Sequence, residues 1–260
     1  MIAGHALLTR LVAESLSAMV RRRAYATEGE LEARAAAYSP RDFASALRQP
    51  RLAVVAEMKK RTPSMGRLVR GYRPERIALA YSKAGAAAIS VLTQEASFGG
   101  SLHHLETARR SSELPILRKD FIVDPYQVLE ARASGADSVL LIVAALEDRL
   151  PELLAAAREQ GLAALVEVHD EHETESALVA GAELIGVNHR DLRTFEVDIS
   201  LTERLRPLIP REVTVVAESG IRGREDARRM RDAGADAILV GELLMRSEDP
   251  AACIRDLASA

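Results

Sequence analysis

One pattern of apolar and polar positions recurs along the chain. A small-Gly-Ala triplet, standing just before a short apolar run, appears as Ala84-Gly85-Ala86 ahead of Ala88-Ile89-Ser90-Val91-Leu92 and as Ser134-Gly135-Ala136 ahead of Ser138-Val139-Leu140-Leu141-Ile142. It returns as Ala180-Gly181-Ala182 ahead of Leu184-Ile185-Gly186-Val187 and as Ala233-Gly234-Ala235 ahead of Ala237-Ile238-Leu239-Val240, with a looser copy at Gly161. Each triplet follows a stretch of helical character. The glycine suits a left-handed helix cap, and the apolar run suits a strand buried on both faces. Three further runs, Leu52 to Glu57, Pro115 to Lys119 and Val213 to Glu218, complete the set. The pattern predicts eight strands beginning near residues 52, 87, 115, 137, 163, 184, 213 and 237. Intervals of about 21 to 35 residues leave room for one helix and two loops, as a right-handed parallel crossover requires.

Eight regular units favour a closed (β/α)8 barrel, an α/β fold, over an open doubly wound sheet. Residues 1–48 lie outside the repeat and read as an N-terminal helical extension packed on the barrel; residues 49–260 read as the barrel domain. Length agrees, since 260 residues make one barrel of ordinary size. The net charge of −3 gives no electrostatic case for nucleic acid or membrane binding. Cys253 stands alone, which fits a reducing cytoplasm, and no apolar run approaches the ~20 residues of a membrane span.

Barrel chemistry sits where the strand ends converge, so the residues ending each run matter most. Glu57 and Lys59 are two apart and share one strand face. Lys119 sits within Arg118-Lys119-Asp120, which taken alone reads equally well as a salt-bridged surface run. Glu167 ends an apolar run where a charge is costly unless paired or functional, and Asn188 ends another. Ser219-Gly220 and Gly241-Glu242 follow the last two runs, where barrels often hold a phosphate on backbone N–H groups. The hydroxyls of Ser219 and Thr62 are candidate donors, and Glu242 is expected to point away from the anion. His169 and His172 with Asp170 and Glu171 have metal-like spacing, but Asp170 is placed to cap a helix, and no metal site is expected.

These segments resemble the indole-3-glycerol phosphate synthase family. The resemblance rests on Ala56-Glu57-Met58-Lys59-Lys60-Arg61-Thr62-Pro63-Ser64, Phe98-Gly99-Gly100-Ser101, Leu117-Arg118-Lys119-Asp120-Phe121 and Leu165-Val166-Glu167-Val168-His169. It continues through Gly186-Val187-Asn188-His189-Arg190-Asp191-Leu192 and Ala217-Glu218-Ser219-Gly220-Ile221, in order from about residue 40 to residue 248. It implies closure, decarboxylation and dehydration of 1-(2-carboxyphenylamino)-1-deoxyribulose 5-phosphate, a step of tryptophan synthesis, without metal or cofactor. Lys119 would be the general acid and Glu167 the general base, with Glu57 and Lys59 completing the network and Asn188 and Ser219 orienting the substrate. Arg190 would meet the anthranilate end; Phe98, Phe121, Leu140, Ile142 and Leu192 would form the aromatic slot; Thr62, Ser219, Gly220 and Gly241 would hold the phosphate. Burial or a neighbouring cation is expected to lower the Lys119 pKa toward neutrality. The sequence departs from the family at Thr62 and Leu243, where serine is usual, and at His189, where a small or amide residue is common. The expected protein is a cytoplasmic monomer whose partner is its small-molecule substrate, with contact to other tryptophan-pathway enzymes left open. A phosphoribosyl isomerase barrel is the enzymatic rival, and Lys119 speaks against it; a retired paralogue is the non-catalytic rival, and the intact polar set speaks against that.

Overall fold

The computed structural model describes residues 2–63, 65–69, 71–191, 194 and 196–260. The chain opens with three helices, α1 (Ile2–Arg23), α2 (Glu28–Ala35) and α3 (Phe43–Leu47). Eight parallel strands follow: β1 (Ala53–Met58), β2 (Ala88–Leu92), β3 (Ile116–Lys119), β4 (Ser138–Ile142), β5 (Ala163–Val168), β6 (Leu184–Asn188), β7 (Thr214–Glu218) and β8 (Ala237–Val240). They pair in sequence order, and β1 also pairs with β8, so the sheet closes on itself. The strands begin within one residue of the positions predicted from the repeat. Between them run α4 (Pro74–Ala84), α5 (Leu102–Ser111), α6 (Pro125–Ala133), α7 (Val143–Leu146), α8 (Leu150–Glu159), α9 (Glu171–Val179), α10 (Leu201–Leu205) and α11 (Arg224–Asp232). The chain ends with α12 (Glu242–Arg246) and α13 (Pro250–Ala258). Gly85 closes α4 at φ 87°, the left-handed conformation that its place in the repeat calls for. No helix among the described residues is long and apolar enough to cross a membrane.

Strand alternation divides the core in two. Val54, Ala56, Val91, Ile116, Val139, Val166, Ile185, Val215 and Ile238 face outward into the helical layer. Ala53, Val55, Leu117, Leu140, Leu165, Leu184, Val216 and Leu239 face inward and fill the barrel. The inward cluster reaches into the N-terminal helices, taking Leu11 from α1 and Phe43 and Leu47 from α3. The same alternation turns the last inward position of each strand toward the mouth.

It also resolves the Arg118-Lys119-Asp120 run. Lys119 faces inward, whereas Arg118 faces outward and is fully buried. Arg118 donates to Thr93 Oγ1 at 3.1 Å and to the Gln127 carbonyl at 2.7 Å, and pairs with Asp120 at 3.2 Å and Glu130 at 3.4 Å. Helix α1 joins this network: Ser15 donates to Asp120 at 2.8 Å and Arg22 to Glu130 at 2.6 Å. The run is salt-bridged as its composition suggests, but its charges are interior and brace β3 from behind.

Candidate active site

A cavity of about 770 Å3 opens at the C-terminal mouth of the barrel. Its lining includes Glu57, Lys59, Thr62, Phe98, Lys119, Phe121, Leu140, Ile142, Glu167, Asn188, Arg190, Ser219, Gly220 and Gly241, fourteen of the fifteen residues singled out from sequence. The fifteenth, Leu192, lies outside the described residues. Leu7 and Leu11 of α1 also line the cavity.

Strand ends supply the polar groups. The Lys119 ammonium donates to Glu218 Oε2 at 2.6 Å and to Glu167 Oε2 at 3.2 Å, joining β3, β5 and β7 across the barrel. Lys59 pairs with Glu57 on its own strand end. Asn188 donates to Glu167 Oε1 at 2.9 Å. Its own carbonyl oxygen accepts from Ser219 Oγ at 2.8 Å and from the Arg190 N–H at 3.1 Å, so the amide is fixed with its NH2 toward the carboxylate. The Ser219 hydroxyl hydrogen is therefore directed to Asn188. Thr62 Oγ1 accepts from the Met65 N–H at 3.1 Å.

Electrostatics sharpen this arrangement. Burial opposes a charge on Lys119, but Glu218, Glu167 and Glu57 outweigh it and push its pKa up. The sequence expectation of a lowered lysine pKa is thus reversed, because the neighbours that the fold supplies are carboxylates rather than cations. Burial raises the Glu167 pKa, yet Lys119, His169 and Asn188 prevail and hold it well below the usual carboxylate range. Glu218 goes the other way: burial and the nearby Glu167 push it up to about 7 against the pull of Lys119.

Glu218 is the site residue that sequence reading missed. It ends an apolar run just as Glu167 does, so the same signal is present, but the Ser219-Gly220 turn beside it draws the reading toward phosphate. Gly186 makes room for it. A Cβ at Gly186 would lie 2.2 Å from Glu218 Oε1, closer than any real contact. The obstructed atom is the tip of a flexible side chain, so Gly186→Ala is expected to leave the fold intact while displacing Glu218. A misplacement of about 1 Å costs up to about 100-fold in rate; kcat should fall on that scale with an unchanged circular dichroism spectrum, and full activity in the variant would separate Glu218 from the chemistry.

The turn after β7 is shaped by backbone. Ser219 and Gly220 both adopt left-handed conformations, at φ 67° and 77°. For serine this is a strained state that persists only where the surroundings impose it. His189 is one such support: its buried ring donates from Nδ1 to the Ser219 carbonyl at 2.8 Å, so Nε2 accepts from Thr202 Oγ1 at 2.7 Å. Burial lowers the His189 pKa, in keeping with a neutral ring. The His189 side chain thus braces the turn from behind. Glu242 does not turn wholly away; it lines the cavity, paired with Arg246 at 3.2 Å. Leu243 lines the cavity as well. His172 is exposed, Asp170 caps α9 through the Glu173 N–H, and among the described residues no group of three or more His, Cys, Asp or Glu side chains is arranged to hold a metal ion.

A closed parallel barrel whose strand ends gather Lys59, Lys119, Glu57, Glu167 and Glu218 around one cavity defines the class: a (β/α)8 barrel with its polar cluster at the C-terminal mouth, where enzymes of this fold carry their active sites. A family model described as indole-3-glycerol phosphate synthase matches residues 8–257, and the chain belongs to that family. It is 58% identical over 253 residues to "Indole-3-glycerol phosphate synthase 2" of Streptomyces coelicolor, covering 96% of this chain and 98% of that one. It is 53% identical to the "Indole-3-glycerol phosphate synthase" of a Parafrankia species, covering 85% and 83%. Among solved structures, a thiamine phosphate pyrophosphorylase from Pyrococcus furiosus superposes with a TM-score of 0.60 at 22% identity, over 80% of this chain and 94% of that one, a likeness of fold alone.

Proposed function

We propose that the mouth of this barrel converts 1-(2-carboxyphenylamino)-1-deoxyribulose 5-phosphate to indole-3-glycerol phosphate, with Lys119 as the acid of ring closure and Glu167 as the base of the final step. The observation that carries the assignment is the Lys119 ammonium held 2.6 Å from Glu218 and 3.2 Å from Glu167 beneath the cavity. The aromatic ring carbon attacks the ribulose ketone, and negative charge grows on the ketone oxygen. A fixed, fully protonated lysine stabilises that charge and then delivers its proton. The carboxyl group departs as carbon dioxide, and its bonding pair restores the aromatic ring. Loss of water follows: an ammonium protonates the leaving hydroxyl while Glu167 takes the ring proton. Lys59, beside Glu57, is the second ammonium in reach of the cavity. Glu218, titrating near neutrality, is able to reload Lys119.

Phe98 and Phe121, with ring centroids 6.3 Å apart, and Leu140 and Ile142 accept the anthranilate ring, with Arg190 at its carboxylate. Thr62, Ser219, Gly220 and Gly241 take the phosphate, chiefly through backbone N–H groups. Residues 1–48 act as an accessory layer of the barrel domain of residues 49–260, and the enzyme works as a cytoplasmic monomer. The test is the appearance of indole fluorescence when purified protein meets the substrate; absence of product refutes the assignment. Calorimetry checks the anion end. A substrate analogue lacking phosphate is expected to bind at least about 100-fold more weakly, the scale of two charge-assisted hydrogen bonds, and equal affinity would remove the phosphate from the mouth.

A further inference from the structure

His169 is a buried charge-bearing group that the mechanism leaves unused. It follows β5 directly, two residues beyond Glu167, and does not line the cavity. Its ring lies between two carboxylates. Nδ1 is 3.0 Å from Glu173 Oε2, and Nε2 is 3.4 Å from Glu167 Oε1. Glu173 also accepts the His169 backbone N–H at 2.8 Å, so one carboxylate on the first turn of α9 fixes both backbone and ring. Glu173 is placed in turn by the Asp170 cap, which accepts its N–H at 2.8 Å. The ring is 13% exposed and Glu173 16%, so water screens neither strongly.

We propose that His169, clamped by Glu173, is a positioning residue: a second cation that keeps the Glu167 carboxylate in place and charged when Lys119 gives up its proton. The proposal rests on Glu167 being the base. Lys119 alone is an unreliable counter-ion for that base, because the reaction asks the same ammonium to deliver its proton. At that moment Glu167 would face Glu218 with no neighbouring positive charge, and a buried carboxylate so placed takes up a proton. It would then no longer be a base. A histidinium on the other oxygen removes that failure. The charges around the ring agree: Glu167 and Glu173 face it, Lys119 and Glu218 lie beyond Glu167, β6 contributes the neutral Asn188, and α7, packed against both β5 and α9, carries only Val143, Ala144, Ala145 and Leu146. Burial favours the neutral ring, but the two carboxylates prevail and raise it to about 10.

The experiment measures kcat and KM of the full chain from about pH 6 to about pH 10 for the parent, H169N, E173Q and E167Q. H169N is expected to lose about tenfold in kcat at neutral pH, the effect of one opposite charge at this range, with KM unchanged because His169 does not touch substrate. E173Q keeps the accepting oxygen but not the charge. It should match the parent at the acid end and lose activity at lower pH than the parent does, since the histidinium deprotonates earlier. NMR titration of the His169 ring in the parent should find it protonated at neutral pH, a readout independent of how the variants fold. A neutral ring there, or an H169N profile superimposed on that of the parent, overturns the proposal while the base assignment stands. Normal turnover in E167Q overturns the base assignment itself.

Discussion

Replacing Lys119 with alanine is expected to lower kcat by about 10²- to 10⁴-fold, the range of a positioned general acid. The loss has two parts. The proton donor to the ketone oxygen disappears, and Glu167 and Glu218 lose the cation that lies between them. Two buried carboxylates left together cannot both stay ionised. Glu218, already pushed up to about 7, should hold a proton over a wider pH range. Single-turnover fluorescence of the indole product checks the rate. Near-parental turnover in Lys119→Ala would show that the acid is another group, with Lys59 the first to examine.

The second large effect concerns stability rather than rate. Arg118→Ala is expected to destabilise the fold by about 3–5 kcal/mol, as removal of one member of a buried ion network does. Arg118 is fully buried, and its loss leaves Asp120 and Glu130 with fewer partners and takes the guanidinium donor from the Gln127 carbonyl. Against a total of roughly 5–15 kcal/mol, that is a large fraction. Urea unfolding should show a lower midpoint. The Arg10–Glu14 pair, 3.7 Å apart with the Arg10 side chain exposed, is the contrast: Arg10→Ala should barely move the midpoint, because solvent screens such a pair. A midpoint for Arg118→Ala no lower than that of Arg10→Ala would mean that β3 does not depend on the network behind it.

Features that depend on neighbours in sequence are legible from the chain, and those that depend on closure are not. The strands are readable because the Gly-Ala triplets mark helix ends and the apolar runs mark the strands themselves. Lys119 and Glu167 are readable for a related reason: each ends such a run two residues beyond an inward apolar side chain, and Asn188 ends its run four residues beyond the inward Leu184. Glu218 carries the same mark, masked by the turn beside it. Its bond to Lys119 is not legible, because it depends on closure bringing β3 and β7 across one barrel. The role of Gly186 is equally hidden; in sequence it only interrupts an apolar run, and the reason for its missing side chain lies on the next strand. Nor can periodicity tie Ser15 to Asp120, which are 105 residues apart. The direction of the Lys119 pKa shift reverses for the same reason, since burial is foreseeable from sequence and the number of carboxylates meeting it is not.

The most direct test of the central claim is a crystal structure of the chain with a substrate analogue whose ketone is reduced to an alcohol, so that the ring cannot close. The analogue should lie in the mouth with its alcohol oxygen within about 3 Å of Lys119 Nζ, its aromatic ring against Phe121 and its phosphate at the Ser219-Gly220 turn. An analogue bound elsewhere, or bound in the mouth with Lys119 turned from the alcohol, would contradict the assignment of Lys119 as the acid.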